Sequence, residues 1–180
     1  MAASVLMPRL LRVGGGALKT LPEALKTIGC ARPLVVTDSF MSSSGSLEPV
    51  LKSLDQASMQ TAVFDGAVPD PTTASLDPGV DLAAGCDAVV GFGGGSAIDS
   101  AKAIAVLAKH GGPLSRFKVP AVAPVGLPVV AIPTTAGTGS EVTRVAIVTE
   151  SQTEEKMLLM GEYASTESVE TQTPRSEQLS

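Results

Sequence analysis

Residues 91–105, Gly91-Phe92-Gly93-Gly94-Gly95-Ser96-Ala97-Ile98-Asp99-Ser100-Ala101-Lys102-Ala103-Ile104-Ala105, carry the reading of the fold. An apolar run that reads as a buried strand, Ala88–Phe92, leads into them. A helical pattern through Ala101, Ile104, Ala105 and Ala108 leads out, with Ser96 to Asp99 read as a capping-box variant at its start. The run of glycines between lets the backbone turn tightly and approach a ligand with no Cβ in the way. Free N–H groups at the start of the helix, reinforced by its dipole, favour an anion such as a phosphate or diphosphate. The string alone leaves a second reading open, in which the glycines only let helix and strand pack closely. Ser96 replaces the third glycine of the usual dinucleotide fingerprint, and no Gly-Lys-Ser/Thr ending follows, which argues against a P-loop.

Outward from this unit, short apolar runs alternate with helical patterns. Expected strands are Leu34–Thr37, Thr61–Phe64, Ala88–Phe92, Pro128–Ile132 and Val145–Thr149, apolar on consecutive residues as strands buried on both faces of a parallel sheet are. Leu18, Leu21, Leu25 and Ile28 form one helical face that Gly29 stops. Asp77-Pro78-Gly79 reads as an N-cap with Pro at the first helical position, the helix running through Val80 to Ala84. Gly111 to Gly126 has no period and reads as a surface loop. The order is βαβαβ: an α/β fold, a Rossmann-like parallel sheet with flanking helices.

Two more segments end strands on the same edge. Ile132-Pro133-Thr134-Thr135-Ala136-Gly137-Thr138-Gly139-Ser140 places hydroxyls on a flexible backbone, suited to a phosphate or sugar edge or to capping the next helix. Asp38 closes Val35-Val36-Thr37-Asp38, where a carboxylate can accept both ribose hydroxyls of an adenosine and repel a 2′-phosphate, or can cap a helix. Open α/β sheets bind ligands at this carboxyl edge.

Composition bounds the partners. The 180 residues are 44% hydrophobic and 17% charged, with 13 basic and 18 acidic side chains. A net charge of −5 gives no basic footprint for nucleic acid or an anionic membrane. No apolar run approaches the roughly 20 residues of a spanning helix. Two cysteines, Cys30 and Cys86, are too few for a disulfide scaffold, and the chain has no Asn and one His, His110. A cytoplasmic protein is expected. Arg9, Arg12 and Lys19 without an acid before Leu21 offer the alternative of an organelle matrix. Beyond Met160 the chain turns polar. From residue 151 on, six acids (Glu154, Glu155, Glu162, Glu167, Glu170, Glu177) stand against Lys156 and Arg175. The expected division is a dinucleotide-binding domain over 1–160 and a disordered acidic tail over 161–180.

GFGGGSAIDSAKAIA followed by PVVAIPTTAGTGSEVT resembles the iron-containing (group III) alcohol dehydrogenase family. The likeness runs from about Pro8 to Met160 through VGGGAL, LVVTD, FDGAVPDPT and EEKMLLM. It implies an N-terminal half that binds NAD(H), or less readily NADP(H), ahead of an all-helical domain. That second domain holds Fe²⁺ or Zn²⁺ on one Asp and three His, and hydride passes between nicotinamide and a small alcohol or carbonyl. By position, Asp38 would hold the adenosine ribose and favour NAD. Gly94, Gly95 and Ser96 would contact the diphosphate, and Thr134, Thr135 and Thr138 would line the diphosphate and nicotinamide-ribose side. Ile147 would pack near the nicotinamide, and Lys156 would reach its ribose. Asp70 stands where the family often has Asn, adding negative charge near the cofactor. Asp99 reads as a helix-start residue, Lys102 as a long-range phosphate partner and His110 as a helix C-terminal cap.

Past Met160 the family pattern ends, and the histidine-rich metal domain is expected to be absent. The tail reads as the product of a frameshift, an altered splice or a shortened gene. No catalytic residue and no metal ligand is therefore assigned to this chain. The expected function is the cofactor-binding half of a metal-dependent alcohol dehydrogenase. The alternatives are a non-catalytic NAD-binding or subunit-interaction module, pairing with itself or with an intact subunit, and a non-functional product.

Overall fold

The computed structural model describes residues 10–161 and 167–170, the last four as backbone. Residues 1–9, 162–166 and 171–180 lie outside it, so Pro8 and Arg9 at the front, and Glu162, Arg175 and Glu177 in the expected tail, lie outside the described residues. Strands β1 (Leu10–Val13), β2 (Pro33–Val36), β3 (Ala62–Phe64), β4 (Ala88–Gly93) and β5 (Val129–Pro133) belong to one sheet. Its sixth strand, Glu167–Glu170, comes last in the chain, after a separate hairpin of β6 (Val145–Thr149) and β7 (Lys156–Met160), and is therefore β8. The strand order is β1-β8-β5-β4-β2-β3, and every pair is parallel.

The consecutive apolar residues of the central strands sort onto opposite faces, as the two-residue repeat of a strand requires. Leu34, Val36, Val89 and Val129 enter one core, whereas Val35, Val90, Val130 and Ile132 enter the other. Helices α1 (Leu21–Thr27) and α3 (Glu48–Gln56) cover the second face, with the short α2 (Ser39–Ser43) following β2. The first face takes α4 (Thr73–Leu82), α5 (Gly95–His110) and the β6–β7 hairpin. Residues Ala97, Ile98 and Ser100 through Leu107 of α5 are all buried. A helix apolar nearly all round belongs in the interior, and α5 is the central rod of this layer. Among the described residues, no helix is long and apolar enough to cross a membrane.

Several expectations require correction. Val145–Thr149 is not a strand of the parallel sheet: it pairs antiparallel with β7, and the inward positions Ala146, Val148, Met157 and Leu159 alternate with more exposed ones. That half-buried alternation is the mark of a one-sided antiparallel pair. Helix α4 begins at Thr73, not at Pro78, because Thr72 and Ser75 form a reciprocal capping box upstream. Pro78 lies inside the helix, beside Gly79, where an added Cβ would fall 2.5 Å from Ile104 Cδ1. Helix α5 is capped by Gly94, with no side-chain cap bond, so Ser96–Asp99 forms no capping box. The loop at 111–126 holds a 3-10 turn, Leu114–Phe117, whose two end residues are buried. Of the tail expected over 161–180, Gly161 bridges Ala123 and Glu167–Glu170 pair with β1 and β5, while 162–166 and 171–180 lie outside the described residues. That pairing uses backbone groups alone, which a polar composition does not reveal. Strand β1 itself had no counterpart among the expected strands.

The sheet and α5 pack in close contact at Gly91, where an added Cβ would lie 3.0 Å from Ala101 Cβ and 3.1 Å from Ile98 Cα. Gly91→Val should therefore push the rod off the sheet and cost about 1–3 kcal/mol. Urea denaturation measures it, and an unchanged midpoint would show that this contact is slack.

Candidate functional site

Strand order reverses between β2 and β4: the chain moves outward from β2 to β3, then returns to place β4 and β5 on the other side. Such a switch point opens a crevice at the carboxyl ends of the two strands. Asp38 follows β2 here, and Gly93 ends β4 with Gly94 and Gly95 after it. Gly93 has φ +147°, a value that strains any side chain, and an added Cβ would sit 2.9 Å from Ala97 Cβ and 3.5 Å from Asp38 Oδ2. The carboxylate of Asp38 also accepts a 2.9 Å hydrogen bond from the Met41 N–H, capping α2. Capping occupies Oδ1 in this bond, and Oδ2 is the atom turned toward the glycines.

The loop after β5 closes over the same turn. A Cβ on Gly94 would lie 3.4 Å from Thr135 Oγ1, and one on Gly95 would lie 3.1 Å from Ser140 Oγ and 3.4 Å from Thr138 Cβ. Thr134, Thr135 and Thr138 are exposed. The first N–H groups of an α-helix have no intrahelical acceptor, and Gly94 offers no side chain to cap them. The turn thus joins uncapped amides, glycine backbone and exposed hydroxyls, a set suited to an anionic ligand.

Asp70 and Lys156 meet along the hairpin. Lys156 Nζ donates to Asp70 Oδ1 at 3.1 Å, and Asp70 has φ +48°, a conformation that Asp and Asn tolerate well. Both side chains are largely exposed, so the pair contributes little stability. The negative charge expected at Asp70 is offset by its partner. Ile147 sits on the outward side of β6, 44% exposed.

Two residues depart from their expected roles. Asp99 is not a helix-start group: its Oδ2 accepts the Ile147 N–H at 3.1 Å, fixing β6 to α5. Burial raises its carboxyl pKa, against the Ile147 N–H and the Lys102 charge. Lys102 is no long-range phosphate partner. It has no exposed surface, and its Nζ donates to the carbonyls of Ser140 (2.6 Å), Val145 (2.7 Å) and Thr143 (2.9 Å). The sequence held a signal: a lysine flanked by Ala101, Ala103 and Ile104 in a buried helix requires internal acceptors.

Residues 8–168 match the family described as iron-containing alcohol dehydrogenase. This chain belongs to that family. An NAD-dependent methanol dehydrogenase of Bacillus methanolicus is 43% identical over 153 residues, covering 83% of this chain and 40% of that protein. Alcohol dehydrogenase 4 of Schizosaccharomyces pombe is 36% identical over 160 residues, with 87% and 38% covered. A solved sulfoacetaldehyde reductase from Bifidobacterium kashiwanohense, in complex with NAD+, superposes with a TM-score of 0.85 at 27% identity, covering 95% of this chain and 46% of that one. The chain thus spans about 40% of the length of the curated relatives it matches.

The family carries iron in its name. Among the described residues, no group of three His, Cys, Asp or Glu side chains converges. The single histidine, His110, ends α5, and its Nε2 lies 2.9 Å from Val125 O. That is a helix length of roughly 20 Å from the glycine turn. Among the described residues these side chains form no donor set for a metal.

Burial pushes the Lys102 ammonium down to about 8, opposed by the carboxylates of Asp99 and Glu141. The folded value lies below the ordinary 10.5, so between the two the unfolded chain holds more protons, and stability rises with pH across that window. Urea denaturation at pH of about 7.5 and about 10 should show the unmodified chain gaining about 1–3 kcal/mol on Lys102→Met at the higher pH. An identical difference at both values would contradict the assignment.

Proposed function

We propose that this chain is the dinucleotide-binding part of an NAD-linked alcohol dehydrogenase of the iron-containing family. The observation that carries the reading is the crevice between β2 and β4, where Asp38 Oδ2 faces the glycine turn at the uncapped start of α5. The N–H groups of Gly95 and Ser96, beside Gly94, would take the diphosphate. Asp38 would accept the adenosine ribose hydroxyls, and its charge would repel a 2′-phosphate. Thr134, Thr135 and Thr138 would flank the diphosphate and the second ribose, with Ile147 against the nicotinamide and Lys156 near its ribose. Bound NAD supplies a hydride acceptor, and NADH the matching donor. The small alcohol or carbonyl that exchanges the hydride, and the metal that polarises it, belong to the activity proposed for the whole protein. A cytoplasmic location is part of the same reading.

Titration of the chain with NADH, followed by calorimetry, should give saturable binding, and no heat at millimolar NADH would overturn the proposal. Asp38→Ser retains a capping oxygen for α2. It should weaken NADH by about tenfold and raise the NADPH/NADH affinity ratio. An unchanged ratio would remove Asp38 from the ribose.

A companion reading, a module that pairs with a second subunit, draws on the outward face of the hairpin. Ile147, Leu158 and Met160 are 44%, 38% and 42% exposed there, where a solvent-facing strand side is ordinarily polar. Sedimentation at increasing concentration should show association that the double variant Leu158→Ser, Met160→Gln reduces. A monomer throughout would dismiss this reading.

A further inference from the structure

Within the proposed function, one question is what sets the gap between the glycine turn and the hydroxyl-bearing loop opposite it. That loop spans the end of β5 and the start of β6 and contributes no regular secondary structure from Thr134 to Arg144. Backbone bonds hold its ends, Thr134 N–H to Gly93 O and Gly161 N–H to Arg144 O, and side chains of α5 tie its far part to the helix. Helix α5 supplies two, three residues apart and on one face. From Lys102, Nζ reaches the carbonyls of Ser140, Thr143 and Val145 at 2.6, 2.9 and 2.7 Å, and lies 3.4 Å from Thr143 Oγ1. From Asp99, Oδ2 takes the Ile147 N–H at 3.1 Å. An ammonium has three protons, and three carbonyls of a single six-residue segment converge on it. Toward the glycine turn, a Cβ added to Gly95 would lie 3.1 Å from Ser140 Oγ and 3.4 Å from Thr138 Cβ, so this loop packs directly against the start of α5.

We propose that Lys102, together with Asp99, is a positioning residue for the cofactor: the pair anchors residues 140–147 to α5 from beneath and so sets the width of the cleft in which the diphosphate and nicotinamide ribose lie. Lys102 touches no ligand in this arrangement. It acts through the loop, and the inference rests on the dinucleotide reading given above. A rim held by three hydrogen bonds to one buried cation moves as a unit when that cation is lost. Binding on the Asp38 side of the crevice, which the anchor does not reach, stays as it was.

The test compares NADH with AMP, a probe confined to the adenosine side. In Lys102→Met, a side chain of similar length without donors, NADH affinity should fall by about tenfold or more while AMP affinity changes by less than about twofold. Equal losses for both probes, or no loss for NADH, would overturn the proposal. Should Lys102→Met fail to fold, the Asp99 pair decides it. Asp99→Asn keeps an oxygen for the Ile147 N–H and should stay within about threefold of the unmodified chain for NADH, whereas Asp99→Ala should lose about tenfold. Identical values for the two substitutions would count against the anchor. Amide hydrogen exchange gives a readout free of any ligand: residues 140–147 should exchange faster in Asp99→Ala than in Asp99→Asn, with the remainder of α5 unchanged. If the unmodified chain bound no NADH, the cofactor reading would fail, and exchange would still decide whether the anchor holds the loop.

Discussion

The burial of α5 is the constraint on which the other parts depend. This rod lies close enough to β4 that Gly91 has no room for a side chain, and it carries the hairpin and α4 on its remaining sides. Its N-terminus is thereby fixed at the carboxyl edge of the sheet, beside the point where strand order reverses. The orientation of the amides at that end is a by-product of packing: moving them would require moving the core. A binding edge built this way is rigid because the interior is dense.

Much of this was legible in the sequence, for stated physical reasons. Leu34–Val36, Val89–Val90 and Val129–Ile132 are apolar on consecutive residues because both faces of the sheet are covered. The glycine string and the hydroxyl string lie at strand ends, as their composition implied. Other features were set by partners distant in sequence. Val145–Thr149 has the residues of a buried strand but finds its partner in Lys156–Met160, and nothing local distinguishes the two pairings. Pro78 resembles a helix start, and the stronger reciprocal cap at Thr72 and Ser75 overrides it. Asp99 was read as a helix-start residue and Lys102 as a long-range phosphate partner, whereas their partners are carbonyls and an amide of the distant loop and β6.

Capping and ligand recognition share one side chain at Asp38. One carboxylate oxygen ties down the first turn of α2, and the other faces the crevice. The bond to Met41 limits rotation of the group, so the free oxygen is held in one direction before any ligand arrives. Such preorganisation reduces the entropy lost on binding. At Asp70, by contrast, an exposed ion pair with Lys156 leaves both groups free to exchange partners with little loss.

The arrangement of β8 has a consequence for the order in which the chain can assemble. Among the described residues, β1 has a single sheet neighbour, β8, and β8 is also the link to β5. As the polypeptide leaves the ribosome, β2, β3, β4 and β5 can zip together in turn. Strand β1 precedes these strands in sequence, yet its sheet neighbour, Glu167–Glu170, follows all of them. Its docking therefore waits on a partner from the far end of the sheet's own sequence, after the central strands have met.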